Sequence, residues 1–231
     1  WYNQTLWDSG FIMAISKLNF NSLNVTPSAS SAIGFDSGAD DLETGAGGGS
    51  MIFIKKLTAS SSGTLSFVDG SSSVVLDNTY KEYVFIFNNL HSSSNTGLFQ
   101  VNFSVDTGSN YNVVKTSTCI QAYHLEDNSE AALGYAGSYD LAQSANFLTL
   151  NFVSGTDNDE STSGVFTLFN PSSTTFVKHF ISRVQGTEGS GYSMDFSVAG
   201  YGNTTSAIDA VQFKMSTGNI DAGTITLYGI T

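Results

Sequence analysis

The sequence holds a single cysteine, Cys119. A disulfide within one chain is therefore excluded, and the fold must stand on its hydrophobic core. Basic residues are almost as scarce, with 8 Lys and Arg against 20 Asp and Glu and a net charge of −12. Binding to nucleic acid displaces counterions with Lys and Arg, so this balance argues against a nucleic-acid partner. An anionic membrane surface is disfavoured for the same reason. No apolar run approaches the roughly 18 residues of a membrane-spanning helix, and no membrane insertion is expected. No internal repeat is visible, which counts against a propeller, a solenoid or a β-helix.

Charged residues make up only 12% of the chain, about half the usual share. The polar surface must be carried by Ser, Thr, Asn and Gly, a composition suited to strands and turns. What the chain does have is apolar bulk: 40% of its 231 residues are hydrophobic and 13% are aromatic. That is enough for one substantial domain with a packed core.

From residue 51 onward the pattern is all-β. Short apolar or alternating runs such as "MIFIKKLTAS", "TLSFVDG", "KEYVFIFNNL", "NFLTLNFV", "GVFTLFN", "TTFVKHFISR", "MDFSVAGY", "AVQFKMS" and "TITLYGI" are separated by turn clusters such as "NPSS" and "QGTEGSG". In "LFQVNFSVDTGSNYNVVKTST", Phe99, Val101, Phe103 and Val105 share one face, and "DTGSN" predicts the turn of a hairpin. Gly218 and Asn219 likewise predict a turn pairing "VQFKMS" with the last strand. Residues 125–146 predict a long excursion with one short helical turn. About ten strands with regular turns predict an antiparallel β-sandwich of jelly-roll type over 51–231.

Residues 1–50 differ. Isolated apolar residues stand among Ser, Asn, Asp and Gly, and the stretch ends in "GAGGGS". The plain reading is a disordered tail; the sharper one is an extended N-terminal arm with a Gly-rich linker. Its spaced Leu18, Phe20, Leu23, Val25, Ile33 and Phe35 would bury themselves against a partner, since a solvated tail has little use for them. Met13 opens "MAISKLNF", which reads as a natural translation start. The preceding "WYNQTLWDSGFI" lacks the basic start and small-residue cleavage site of a signal peptide.

Catalytic signals are weak. No nucleophile elbow is present, and His91, His124 and His179 form no metal-ligand pair. His179 reads as a strand surface residue, His124 as a structural hydrogen-bonding group and Cys119 as a buried small hydrophobe. No cofactor is expected, and the chain does not read as an enzyme. Asp157, Asp159 and Glu160 in "GTDNDES" place oxygen ligands at nearby positions of one loop, a weak calcium candidate; solvated acidic turns are the competing reading. Tyr123, Tyr135, Tyr139, Tyr192 and Tyr201 lie at strand ends or in glycine-rich segments. Flat aromatic faces beside Asn, Asp and Ser suit sugars, against the plainer reading as rim residues of a sandwich.

Several separate motifs occur in order: "MAISKLNFNSL", "GSNYNVVKTST", "AYHLEDNSEAALGY", "LFNPSSTTFVKHFIS" and "AGYGNTTSAIDAVQFKMSTGNIDAGTITLYGI". Together they resemble a family of small virion structural proteins of marine tailed bacteriophages, from about Met13 to the C-terminus. The resemblance implies a β-sandwich virion protein of tail-fibre or appendage type with no established catalytic residues. It implies self-association, commonly threefold, contact with other virion proteins and location on the particle surface. Gly218, Asn219 and Gly223 would shape the last hairpin, and Asn170 with Pro171 a turn. Attachment to a host-surface glycan fits such a protein, with capsid decoration as the alternative and a glycan-degrading enzyme as a remote one.

Overall fold

The structure is a computed structural model, and it describes residues 33–35, 42–44, 50–152 and 155–231. The chain divides into two units at Ser50 and Met51. In the first, β1 (Ile33–Phe35) pairs antiparallel with β2 (Leu42–Thr44), Gly34 opposite Glu43. Leu18, Phe20, Leu23 and Val25 lie outside the described residues, while Ile33 and Phe35 belong to β1.

The second unit is an antiparallel β-sandwich of unequal sheets. The larger sheet runs β3 (Met51–Thr58), β14 (Ile220–Ile230), β5 (Glu82–Ser92), β10 (Thr162–Phe169), β11 (Lys178–Glu188), β12 (Tyr192–Gly202), β7 (Lys115–Leu125) and β8 (Ala131–Tyr135). The smaller runs β4 (Leu65–Val68), β13 (Ala210–Met215), β6 (Phe99–Ser104) and β9 (Leu148–Asn151). This is the sandwich that the alternating runs predict.

Side-chain parity builds the core. Along β11, Phe180, Ser182 and Val184 are buried while His179, Ile181, Arg183 and Gln185 are exposed, the period of two expected of a strand with one face covered. Tyr83, Phe85 and Phe87 of β5 are buried, and two of them meet rings of the small sheet: Phe85 to Phe67 at 5.3 Å and Phe87 to Phe99 at 5.0 Å between centroids. Phe213 of β13 stands among Phe67, Phe85, Phe87, Phe99 and Phe166. Such edge-on and stacked aromatic pairs add about 0.5–1.5 kcal/mol each beyond their area burial.

Three local expectations are overturned. β6 and β7 do not form a hairpin: β6 pairs with β13 and β9, and β7 with β12 and β8. The residues "DTGSN" cross from one sheet to the other. Gly218 and Asn219 make a turn, with Gly218 at φ 75°, but that turn also changes sheets, and β14 pairs with β3 and β5 instead of β13. Residues 125–146 contain the edge strand β8 and turns in place of a helical turn. The physical reason is shared. A glycine turn fixes a reversal of direction, but which ladder the next strand joins depends on where its apolar face finds cover. Asn170, at φ 47° before the buried Pro171, does occupy a turn between β10 and β11.

Candidate functional site

The eight-stranded sheet is wider than its partner, and β9 faces β11 and β12 across the interior. At this end the inner face of β7, β11 and β12 opens into a cleft of about 370 Å³ lined by Gln121, Tyr123, Tyr139, Phe152, Glu188, Tyr192 and Met194. Parity again decides the lining. Cys119 of β7 is buried, so Gln121 and Tyr123 share its face. In β12, Tyr192 and Met194 share the face of buried Phe196 and Val198, and Met194 lies opposite Tyr123. Glu188 ends β11 opposite Tyr192. Tyr139, from the loop after β8, packs on Phe196 at 5.6 Å and on Phe152, just after β9, at 5.5 Å.

The cleft is aromatic and anionic. Tyr123 and Tyr192 meet edge to face at 5.4 Å and 76°. Both hydroxyls donate to Glu130, Tyr123 to Oε1 at 2.6 Å and Tyr192 to Oε2 at 3.4 Å. The hydrogen bond to Glu130 raises the Tyr123 hydroxyl above its ordinary pKa, while burial and then the Glu130 charge raise that of Tyr192. Burial raises Tyr139. None of the lining residues is Lys or Arg.

Of the five tyrosines singled out in the sequence, Tyr123, Tyr139 and Tyr192 converge here. Tyr135 and Tyr201 do not. Tyr135 lies opposite exposed Ile120, and Tyr201 lies opposite exposed His179, so both face outward. Tyr135 donates to Asp140, and Tyr201 accepts from the Gln143 amide at 3.3 Å. Sequence reasoning missed Gln121, Phe152, Glu188 and Met194. The alternation in "CIQAY" and "YSMDF" would have placed Gln121 and Met194 with the tyrosines; nothing local points to Phe152 or Glu188.

Asp157, Asp159 and Glu160 lie in the loop between β9 and β10. The Glu160 carboxylate accepts from the Asp157 backbone N–H at 2.9 Å, and the Asp159 carbonyl accepts from the Thr187 hydroxyl at 2.8 Å. Among the described residues, no three His, Cys, Asp or Glu side chains are grouped closely enough to hold a metal ion. The Asp157 carbonyl also meets His91 Nε2 at 3.0 Å, and His124 Nε2 lies 3.2 Å from Asn128 Oδ1, a local structural contact. Cys119 is fully buried, and burial pushes its thiol up to about 11.

In comparisons with known proteins, no family model, no curated protein and no solved structure matches the chain.

Proposed function

We propose that the protein is a non-enzymatic surface component of a phage virion, of fibre or appendage type. Residues 51–231 form a recognition head, and residues 1–50 anchor it to other virion proteins. The observation that carries the recognition role is the cleft of Tyr123, Tyr139 and Tyr192, an open concavity walled by aromatic faces with only a few polar groups. The virion setting is supported by the ordered sequence motifs that resemble phage structural proteins. Self-association into a homotrimer would let a weak site act through avidity.

Three measurements test this. The purified full chain should compete with phage for host cells and slow adsorption, and the Tyr139→Leu form should not. Labelling of intact particles should place the protein on the tail or its appendages. Hundreds of copies on the capsid lattice would favour the decoration reading instead. A glycan-degrading enzyme would require a pair of carboxylates across the cleft; Glu188 lines it and Glu130 holds the Tyr123 and Tyr192 hydroxyls. Release of reducing ends from host polysaccharide that disappears in Glu188→Gln would overturn the non-enzymatic reading.

A further inference from the structure

The cleft has features that select among ligands. Its walls are two perpendicular ring pairs, Tyr123 with Tyr192 at 76° and Tyr139 with Phe152 at 74°. Rings set at right angles present π-faces in more than one direction, and each face carries the negative end of a quadrupole. Glu188 lines the same space, and Glu130 stands behind the two hydroxyls. Those hydroxyls are donating to a carboxylate, which makes their rings richer in electrons and occupies the donor hydrogens that a neutral sugar would use. Among the described residues, the polar groups left to a ligand are the Tyr139 hydroxyl, the Gln121 amide and the Glu188 carboxylate, which also accepts from the Ser190 backbone N–H at 3.1 Å and hydroxyl at 3.4 Å.

A neutral sugar asks for a planar fan of hydrogen-bonding partners around an aromatic platform. A primary ammonium is strongly hydrated and asks for three acceptors. A quaternary ammonium asks for none; it needs only aromatic faces and a compensating negative charge. The protein makes one cation–aromatic contact of its own nearby. Lys214, which lines an adjoining groove that shares Tyr139, holds its Nζ 4.5 Å from the Phe147 ring centroid.

We propose that this cleft binds a methylated quaternary ammonium group of the choline type, enclosed by Tyr123, Tyr139, Tyr192 and Phe152 and neutralised by Glu188. The inference rests on the reading of the cleft as the recognition site of the head. The volume of about 370 Å³ leaves room beyond the methyl groups for the substituent that would join the headgroup to a surface polymer.

The test is calorimetric titration of the full chain with choline and with 3,3-dimethyl-1-butanol, the neutral isostere that replaces nitrogen by carbon. Choline should bind about tenfold more tightly than the isostere, the scale of a partly desolvated cation–π site. Glu188→Gln, checked for an unchanged melting temperature, should weaken choline several-fold and leave the isostere unaffected. Equal affinities for the two probes, or no heat with choline at millimolar concentration, overturns the proposal, and this arm needs no variant to fold. N-acetylglucosamine serves as the neutral-sugar control. If it binds where choline does not, the ammonium inference falls and glycan attachment stands. If choline binds as expected but fails to affect phage adsorption, the attachment reading falls and the ammonium site stands.

Discussion

The side-chain nitrogen of Lys115 lies 2.5 Å from Oδ1 of Asn102, inside the protein, with both residues fully buried. Lys115 also donates to the Val113 carbonyl at 2.7 Å, while the Asn102 amide donates to the carbonyls of Tyr111 at 2.7 Å and Ala145 at 3.0 Å. One lysine and one asparagine thus tie β6 to the crossover that leads into β7. Among the described residues, neither ion pair involves Lys115. Burial without a compensating charge pushes its amine down to about 7.

Stability should consequently rise from about pH 7 to pH 9. In that window the unfolded lysine, at about 10.5, still carries a proton that the folded one has lost, so the unfolded state binds more protons and folding gains as pH increases. The gain is up to about 1.4 kcal/mol per pH unit. Between pH 9 and 10 the rise should level off, and above about pH 10 it should turn into a fall. Cys119 and Tyr83, raised by burial to about 11 and about 12, keep their protons when folded and lose them when unfolded. Denaturant melts between pH 6 and 11 on the parent and on Lys115→Met check this, because the variant should lose the rise between pH 7 and 9 and begin to fall already from about pH 9.

Phe213 meets five other rings in the interior, three of them from the opposite sheet. Phe213→Ala should cost about 3–5 kcal/mol, the range for large cavities in aromatic cores. An equilibrium unfolding curve that shifts by less than about 1 kcal/mol would show that the neighbouring phenyl rings collapse into the space.

Two glycines of the large sheet should respond oppositely to a methyl group. Gly223 sits at φ 99° in a bulge of β14, and a Cβ there would stand 2.3 Å from the Asn89 carbonyl oxygen. Gly223→Ala should destabilise by several kcal/mol or prevent folding. Gly134, on the edge strand β8, has nothing within 4 Å of such a Cβ. Gly134→Ala should be neutral or stabilise by about 0.5 kcal/mol. Thermal melts of the pair decide it.

Cys119 should be inert in the native protein. It is buried and its thiol is raised, so little thiolate exists to react. Ellman's reagent should titrate one thiol in denaturant and almost none without it; rapid native labelling would show that β7 opens locally.

Much of this protein follows from its sequence alone. The alternation in "TTFVKHFISR" and "MDFSVAGY" sets which residues of β11 and β12 face inward, since successive side chains on a strand point to opposite faces. The all-β class, the core phenylalanines and the burial of Cys119 are read the same way. Tertiary structure alone decides which strands are neighbours. Ile225 pairs with Phe87 and Val211 with Phe103 through backbone hydrogen bonds that every residue can make, so no local run names its partner. The cleft depends on that choice twice. Tyr123 and Tyr192 meet because β7 and β12 are adjacent, and Tyr139 and Phe152 join them because a four-stranded sheet leaves the inner face of an eight-stranded one partly uncovered. Parity, a local property, separates these residues from Tyr135 and Tyr201; the mismatch in sheet width, a global one, makes the space they line.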